Sequence, residues 1–389
     1  MMNIFKQKPN TSAVKVFVGL SGGVDSAVSA ALLQKEGYEV TGVFIRIVVP
    51  GYPCTAGADR IDAMRVAAHL RIPFLEVDFS KEYEREVFKP SIQEFAKGET
   101  PNPDTLCNRE IKFGKFFEFC RSRGADYIAT GHYVRLRGSS PSGVHDFPAE
   151  KSLSPRAVAL RSHLQNSSAS PVKLLAGTDS DKDQSYFLWS VPETALRYTL
   201  FPVGHMRKTE VRVLAKKFDL PNAERPDSQG LCFLGPISID EMLVRELTFK
   251  RGNVISEDGK ILGTHGGAAR YTLGQRHGFT LATEAPDVPP HFVVAKDIKK
   301  NTVTVSTSRL PRSAKKTQIK LRGTNWIGEV SSGPCEARFR YRQKLIPAEL
   351  QGSVATLFEP HFVPLGQSLV LYRGEHCLGG GVIASATLK

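Results

Sequence analysis

An apolar run, Val14 to Leu20, ends in Ser21-Gly22-Gly23-Val24-Asp25-Ser26 and passes at once into helical spacing over Ser26 to Lys35, which Gly37 stops. The pattern then repeats. Val40 to Val49 is a second β-branched run, Asp59 to Leu70 an amphipathic helix, and Pro73 to Val77 a third strand. Ile111 to Arg123 has helical spacing, and Asp126 to Thr130 is a strand ending in Thr130-Gly131-His132-Tyr133. This alternation predicts an α/β fold, a parallel sheet covered by helices, with ligands bound at the carboxyl ends of the strands.

The glycine loop carries specific chemistry. Two adjacent glycines let backbone come close to an anion, because no Cβ intervenes. Amides at the start of the following helix point at that anion, and the helix dipole favours its charge. The hydroxyls of Ser21 and Ser26 add donors, and Asp25 is placed to help hold a Mg²⁺ that bridges phosphates. No lysine follows the loop, so it is not the GxxxxGK[ST] loop of kinases and GTPases.

At 389 residues the chain is long enough for two or three domains. Residues 138–172, rich in Ser, Pro and Ala, interrupt the pattern and read as a disordered insertion with a short helix near Pro155 to Leu164. The expected boundaries are 1–228 for the catalytic domain, 229–287 for a small central domain, and 288–389 for a β-barrel. Short strands support the last two: Asn253 to Ile255, Arg270 to Leu273, Phe292 to Val294, Thr302 to Ser306, Gln318 to Leu321, Ala337 to Tyr341, Ala355 to Phe358 and Ser368 to Tyr372.

The net charge of +13 is uneven. Residues 1–137 carry 19 Lys/Arg against 16 Asp/Glu, residues 138–287 carry 18 against 17, and residues 288–389 carry 15 against 6. A basic excess at one end points to a polyanion-binding module beside a more neutral catalytic part. There Arg338-Phe339-Arg340-Tyr341-Arg342, on a strand, puts three arginines on one face for phosphate and two aromatics on the other. No apolar run approaches the roughly 20 residues of a membrane span. The polar start, Met1 to Thr11, has no secretory h-region, so the expected location is cytoplasmic.

The six cysteines form no CxxC pair and no zinc cluster, so no metal site is expected from them. Cys54, Cys120, Cys335 and Cys377 read as structural. Cys107 lies near the start of a helix entered through Pro101-Asn102-Pro103-Asp104, where the dipole is expected to lower a thiol pKa. Cys232 follows in Asp227-Ser228-Gln229-Gly230-Leu231-Cys232-Phe233, 125 residues later.

Taken in order, SGGVDS, NPDTLCNREIKF, TGHY, DSDKDQSYFL, SQGLCF and YTLGQRHG resemble the tRNA-specific 2-thiouridylase family of the PP-loop ATP pyrophosphatases, from about Lys15 to Ile383. The resemblance implies an adenine nucleotide alpha hydrolase-like catalytic domain using ATP and Mg²⁺. Gly19, Leu20, Ser21, Gly22, Gly23, Val24, Asp25 and Ser26 would hold ATP, with Ile45 and Gly131 on its adenine or ribose side. Ala27 stands where many relatives carry a second serine, and Ile45 replaces a usual methionine. Cys232 would receive sulfur as a persulfide from a sulfur-relay protein. Cys107 would be the partner thiol that ends in a Cys107–Cys232 disulfide, and Asp104 an acid/base. Asn102, Pro103, Asp104, His132, Lys182, Asp183, Gln184, Arg340, Tyr341 and Gln367 would contact tRNA. The implied reaction adenylates the 2-oxygen of a wobble uridine and replaces it with sulfur. The glycine loop alone leaves a second reading open, a PP-loop amide ligase acting on a small carboxylate or nucleotide.

Overall fold

The computed structural model describes residues 13–52, 56–138, 171–227, 230, 232–235, 237–282, 289–308, 310 and 314–389. Its N-terminal sheet contains β1 (Lys15–Gly19), β2 (Glu39–Arg46), β3 (Phe74–Asp78) and β4 (Tyr127–Ala129). After the hairpin β5 (Val134–Arg137) and β6 (Lys173–Ala176) comes the short β7 (Thr199–Leu200). All five sheet strands are parallel, in the order β3-β2-β1-β4-β7.

Why β1 is apolar throughout follows from its place in the middle. Val16 and Val18 pack with Val28, Leu33 and Val211 on one face, while Phe17 packs with Val43, Phe116 and Ile128 on the other. A strand buried on both faces has no position for a polar side chain. From β1 the chain builds outward to β2 on one side and later to β4 on the other. The loops after β1 and β4 therefore diverge over a crevice at the point where strand order reverses.

Between β3 and β4 the expected helix over Ile111 to Arg123 starts earlier and is irregular. Helical turns over Pro103–Cys107 lead into a π-helical run, Asn108–Lys115, and then α-helix over Phe116–Ser122.

The small central sheet comprises β8 (Gly252–Ile255), β9 (Ile261–His265), β10 (Phe279–Leu281), β11 (Phe292–Asp297) and β12 (Thr302–Ser306), ordered β10-β9-β8-β12-β11. The sequence reading began the barrel at 288, yet β11 and β12 belong here, with β12 parallel to β8. Alternation shows that a segment is a strand, and tertiary packing decides its partner. The expected strand from Arg270 begins instead as a 3₁₀ turn, Ala268–Arg270.

Six antiparallel strands close the barrel: β13 (Thr317–Trp326), β14 (Gly333–Arg338), β15 (Ile346–Gln351), β16 (Val354–Leu357), β17 (Ser368–Arg373) and β18 (His376–Leu388). Pairing of β13 with β18 completes the circuit. The β5–β6 hairpin adds to the same sheet through β6 and β18, with Cys377 opposite Leu174. The expected insertion joins those two hairpin strands. Its residues 139–170, including the helix expected at Pro155 to Leu164, lie outside the described residues.

The arginine face is corrected in one respect. β14 ends at Arg338, which is only 7% exposed and bonds Asp183 Oδ2 at 2.5 Å and Tyr372 Oη at 2.7 Å. It binds a buried carboxylate between barrel and catalytic unit and is not free for phosphate; Arg340 and Arg342 remain exposed. Among the described residues no helix is long and apolar enough to cross a membrane.

Candidate active site

A cavity of about 560 Å³ occupies the crevice, within the size range of small-molecule sites. Gly19, Leu20, Ser21, Asp25 and Ser26 line it from the loop after β1, and Thr130, Gly131 and His132 from the loop after β4. Ile45, Lys112, Cys232 and Phe233 also face it.

The loop is shaped to receive an anion. The helix Val24–Lys35 begins at Gly23 with no side-chain cap. Instead Ser26 Oγ donates back to Gly23 O at 3.1 Å and lies 3.3 Å from Ser21 Oγ. An uncapped N-terminus at the wall of a cavity has unused amide donors for a phosphate. Gly22 sits at φ +78°, where a Cβ would come within 2.6 Å of Asp59 O. At Gly131 a Cβ would lie 2.7 Å from the backbone of Asp25 and Ser26, so glycine is what lets the two loops touch. Val24 turns its side chain into the core.

Asp25 Oδ1 accepts Tyr133 Oη at 2.7 Å and Lys208 Nζ at 2.6 Å. Lys208 also reaches Asp227 Oδ1 at 2.8 Å, and Asp227 holds Lys182 and Arg212 at 2.7 Å each. Burial pushes the Asp227 carboxyl up, but hydrogen bonds from Lys182 and Lys208 outweigh it and hold the group well below the usual carboxylate range. Lys208 thus places an ammonium beside a loop that has no lysine of its own. Nothing local in the sequence marks it, since it lies 183 residues from Asp25. Among the described residues no group of three or more His, Cys, Asp or Glu is arranged to hold a metal ion. Were a Mg²⁺ to bind here held mainly by phosphates, Asp25 would be the carboxylate placed to reach it.

Cys232 is clamped through its backbone. Its N–H donates to Asp104 Oδ1 at 3.2 Å, and its carbonyl accepts Tyr83 Oη at 2.9 Å. Cys107 Sγ lies 3.4 Å from Cys232 Sγ, in contact but beyond the roughly 2.05 Å of a disulfide. Both thiols are free.

Their environments separate them. Burial, and then the hydrogen bond with Cys232, push the Cys107 thiol well above its ordinary value. This overturns the expectation of a dipole-lowered Cys107, because the residue is wholly buried and closes the helical segment Pro103–Cys107. Cys232 goes the other way. Its hydrogen bond from Cys107 and the nearby Lys112 outweigh burial and lower its pKa. Burial raises the Asp104 carboxyl, suiting it to take and return a proton. Cys120, Cys335 and Cys377 are buried thiols raised by desolvation, Cys335 to about 11 and Cys377 to about 12. Cys54 lies outside the described residues.

The residues expected at tRNA fall into three places. His132 is 8% exposed and faces the cavity, with Nδ1 2.8 Å from Thr130 Oγ1; burial, and then the charge of Lys112, keep it neutral. Gln184 faces the same cavity, and Lys182 is tied to Asp227. Arg340 and Gln367 line a second hollow of about 460 Å³ together with Thr272 to His277. Asn102, which caps the helix at Pro103 by accepting Thr105 N–H, donates to Gln367 Oε1 at 3.2 Å. Tyr341 packs against Phe187, the rings tilted by 45° with centroids 4.7 Å apart. Asp183, 5% exposed, is the buried partner of Arg338.

Three family models match the chain in succession. These are the tRNA methyl transferase HUP domain over residues 14–236, the tRNA methyl transferase PRC-barrel domain over 240–307, and the aminomethyltransferase beta-barrel domain over 316–383. The tRNA-specific 2-thiouridylase MnmA of Enterococcus faecalis is 37% identical over 390 residues, covering 97% of this chain and 97% of that protein. The protein of the same name from Lysinibacillus sphaericus is also 37% identical, covering 97% and 96%. Among solved structures, NMN synthetase from Francisella tularensis overlaps 56% of this chain and 68% of its own at a TM-score of 0.32 and 17% identity, too loosely to carry weight. Near-complete coverage at this identity, over a glycine loop and a cysteine that line one cavity with a second thiol in contact behind, decides the matter: the chain belongs to the tRNA-specific 2-thiouridylase family.

Proposed function

We propose that the protein is a tRNA-uridine 2-sulfurtransferase that consumes ATP and Mg²⁺ and takes its sulfur from a relay protein. One observation carries the reading: the phosphate loop and Cys232 line the same cavity, with Cys107 in contact behind it. A uracil 2-carbonyl is a poor electrophile with an oxide leaving group. ATP supplies the remedy, since adenylation lets that oxygen depart with AMP.

The protein's own residues then handle sulfur. The Cys232 thiolate attacks the terminal sulfur of the donor's persulfide, displacing the donor thiolate and becoming a persulfide. Its terminal sulfur bonds to C2 as the C2–O bond breaks. Cys107, its proton taken by Asp104, attacks Cys232 Sγ and breaks the S–S bond. Sulfur stays on the base, and the two electrons it gains come from the thiols, which become a disulfide. An external thiol reductant resets the pair. Release of sulfide by Cys107 before attack on C2 ends in the same disulfide.

The cavity lies within the catalytic unit, so the target base has to leave the anticodon stack to reach it. The hollow at Arg340 and Gln367, bridged by Asn102 to the thiol helix, gives the flanking RNA a track toward that entrance. The amide-ligase reading gives the paired thiols no role. Incubation with tRNA, ATP, Mg²⁺ and a persulfide donor is expected to yield 2-thiouridine with AMP and pyrophosphate in equal amount. Pyrophosphate release on a small carboxylic acid with ammonia, and none with tRNA, contradicts the proposal.

A further inference from the structure

Resting on the thiolation reading and adding a residue to it, we infer that Lys112 holds Cys232, the cavity-facing sulfur of the pair, as the thiolate that receives incoming sulfur. The two sulfurs are in contact, but Cys232 lines the cavity while Cys107 is wholly buried behind it, so access already favours Cys232. Access does not supply the charge that makes a sulfur reactive.

Lys112 comes five residues after Cys107. On an α-helix that spacing turns a side chain roughly 140° away. The intervening backbone is π-helical over Asn108–Lys115, and in that geometry residues five apart are stacked neighbours. The ammonium therefore swings onto the cavity wall beside Cys232 and lies 5.9 Å from the Phe233 ring. It carries the positive charge among the groups facing that sulfur and lowers the Cys232 pKa. The others are the Cys107 thiol, the Asp104 carboxyl and the Tyr83 phenol, with His132 neutral close by. Burial and Asp104 oppose a thiolate at Cys232; the hydrogen bond from Cys107 offsets them first, and the Lys112 ammonium adds the positive charge. Burial disfavours the ammonium, yet the thiols and Asp104 hold its pKa above the ordinary value, so it stays charged.

The step it serves is balanced. Cys232–S⁻ and a donor persulfide R–S–SH give Cys232–S–SH and R–S⁻. One S–S bond is exchanged for another with no net oxidation. Lys112 keeps its proton throughout and pairs with the sulfur that bears the charge.

The experiment is iodoacetamide alkylation of the reduced full-length protein across a pH series, with Cys232 and Cys107 followed by peptide mass. In Lys112→Met and Lys112→Gln the Cys232 profile is expected to move up by roughly 1 to 3 pH units, the usual effect of removing an adjacent opposite charge. At any pH below both midpoints that slows the reaction about tenfold for each pH unit the profile moves. Lys112→Arg keeps the charge and restores most of the rate. An unmoved profile in folded Met or Gln variants overturns the inference. So does a wild-type protein in which Cys107 alkylates faster than Cys232 at neutral pH, a result that needs no variant. The expected shift in a protein that makes no 2-thiouridine sinks the thiolation reading alone. An unmoved profile in one that does sinks only the role of Lys112.

Discussion

Cys232→Ser is expected to form no 2-thiouridine, a loss of at least ~10³-fold, as when a reacting nucleophile is removed. ATP binding should persist. The loop Ser21 to Ser26 and the cavity residues Ile45 and Gly131 do not depend on the sulfur, and Cys232 is held through its backbone by Asp104 and Tyr83. A hydroxyl in place of the thiol leaves those bonds untouched. Cys107→Ser is expected to fail at a different step. It still accepts one sulfane sulfur on Cys232 from a donor but does not pass it on, because no second thiol lies 3.4 Å away to break the S–S bond. Measuring protein-bound sulfane sulfur separates the two: Cys107→Ser holds it, and Cys232→Ser does not. Full thiolation by either variant discards the sulfur-relay assignment.

Asp183→Ala is expected to destabilise the folded protein by about 3–5 kcal/mol, the cost of leaving a buried charge without its partner. Arg338 is 7% exposed and Asp183 5%, so water cannot replace the lost carboxylate. The guanidinium also takes Tyr372 Oη and Ser185 Oγ, but neither carries a charge to neutralise it. Asp183 further accepts the N–H groups of Gly177 and Ser185, fixing the turn that carries Gln184 to the cavity and Lys182 to Asp227. Its loss therefore loosens the junction of barrel and catalytic unit as well as one ion pair. The check is a large fall in Tm or in the urea midpoint. A variant that keeps its Tm and loses only tRNA affinity would show that Asp183 meets RNA directly, as the sequence motif had implied.

How much of this was written in the sequence depends on how local each feature is. The strand, glycine turn and helix from Val14 to Lys35 are legible because β1 is buried on both faces and the helix must begin where the loop needs free amides. The pairing of Cys107 with Cys232 follows from the ordered motifs, but their opposite pKa shifts do not, since burial and Lys112 act only in three dimensions. Lys112 escaped notice because helical periodicity turns it away from Cys107, and no hydrophobic pattern marks a π-helical run. The strand expected over Ala337 to Tyr341 ends at Arg338. Its first arginine answers a carboxylate 155 positions earlier, which alternation cannot reveal. The boundary at 287 failed for a like reason: β11 and β12 look like barrel strands until β8 claims β12.

The decisive measurement is a single turnover. Protein loaded with one persulfide on Cys232 is mixed with excess tRNA, ATP and Mg²⁺, quenched in alkylating agent without reductant, and mapped. Each 2-thiouridine formed should be matched by one Cys107–Cys232 disulfide. Thiouridine at full yield with both cysteines recovered as alkylated thiols would mean that the two sulfurs brought together behind the phosphate loop are bystanders.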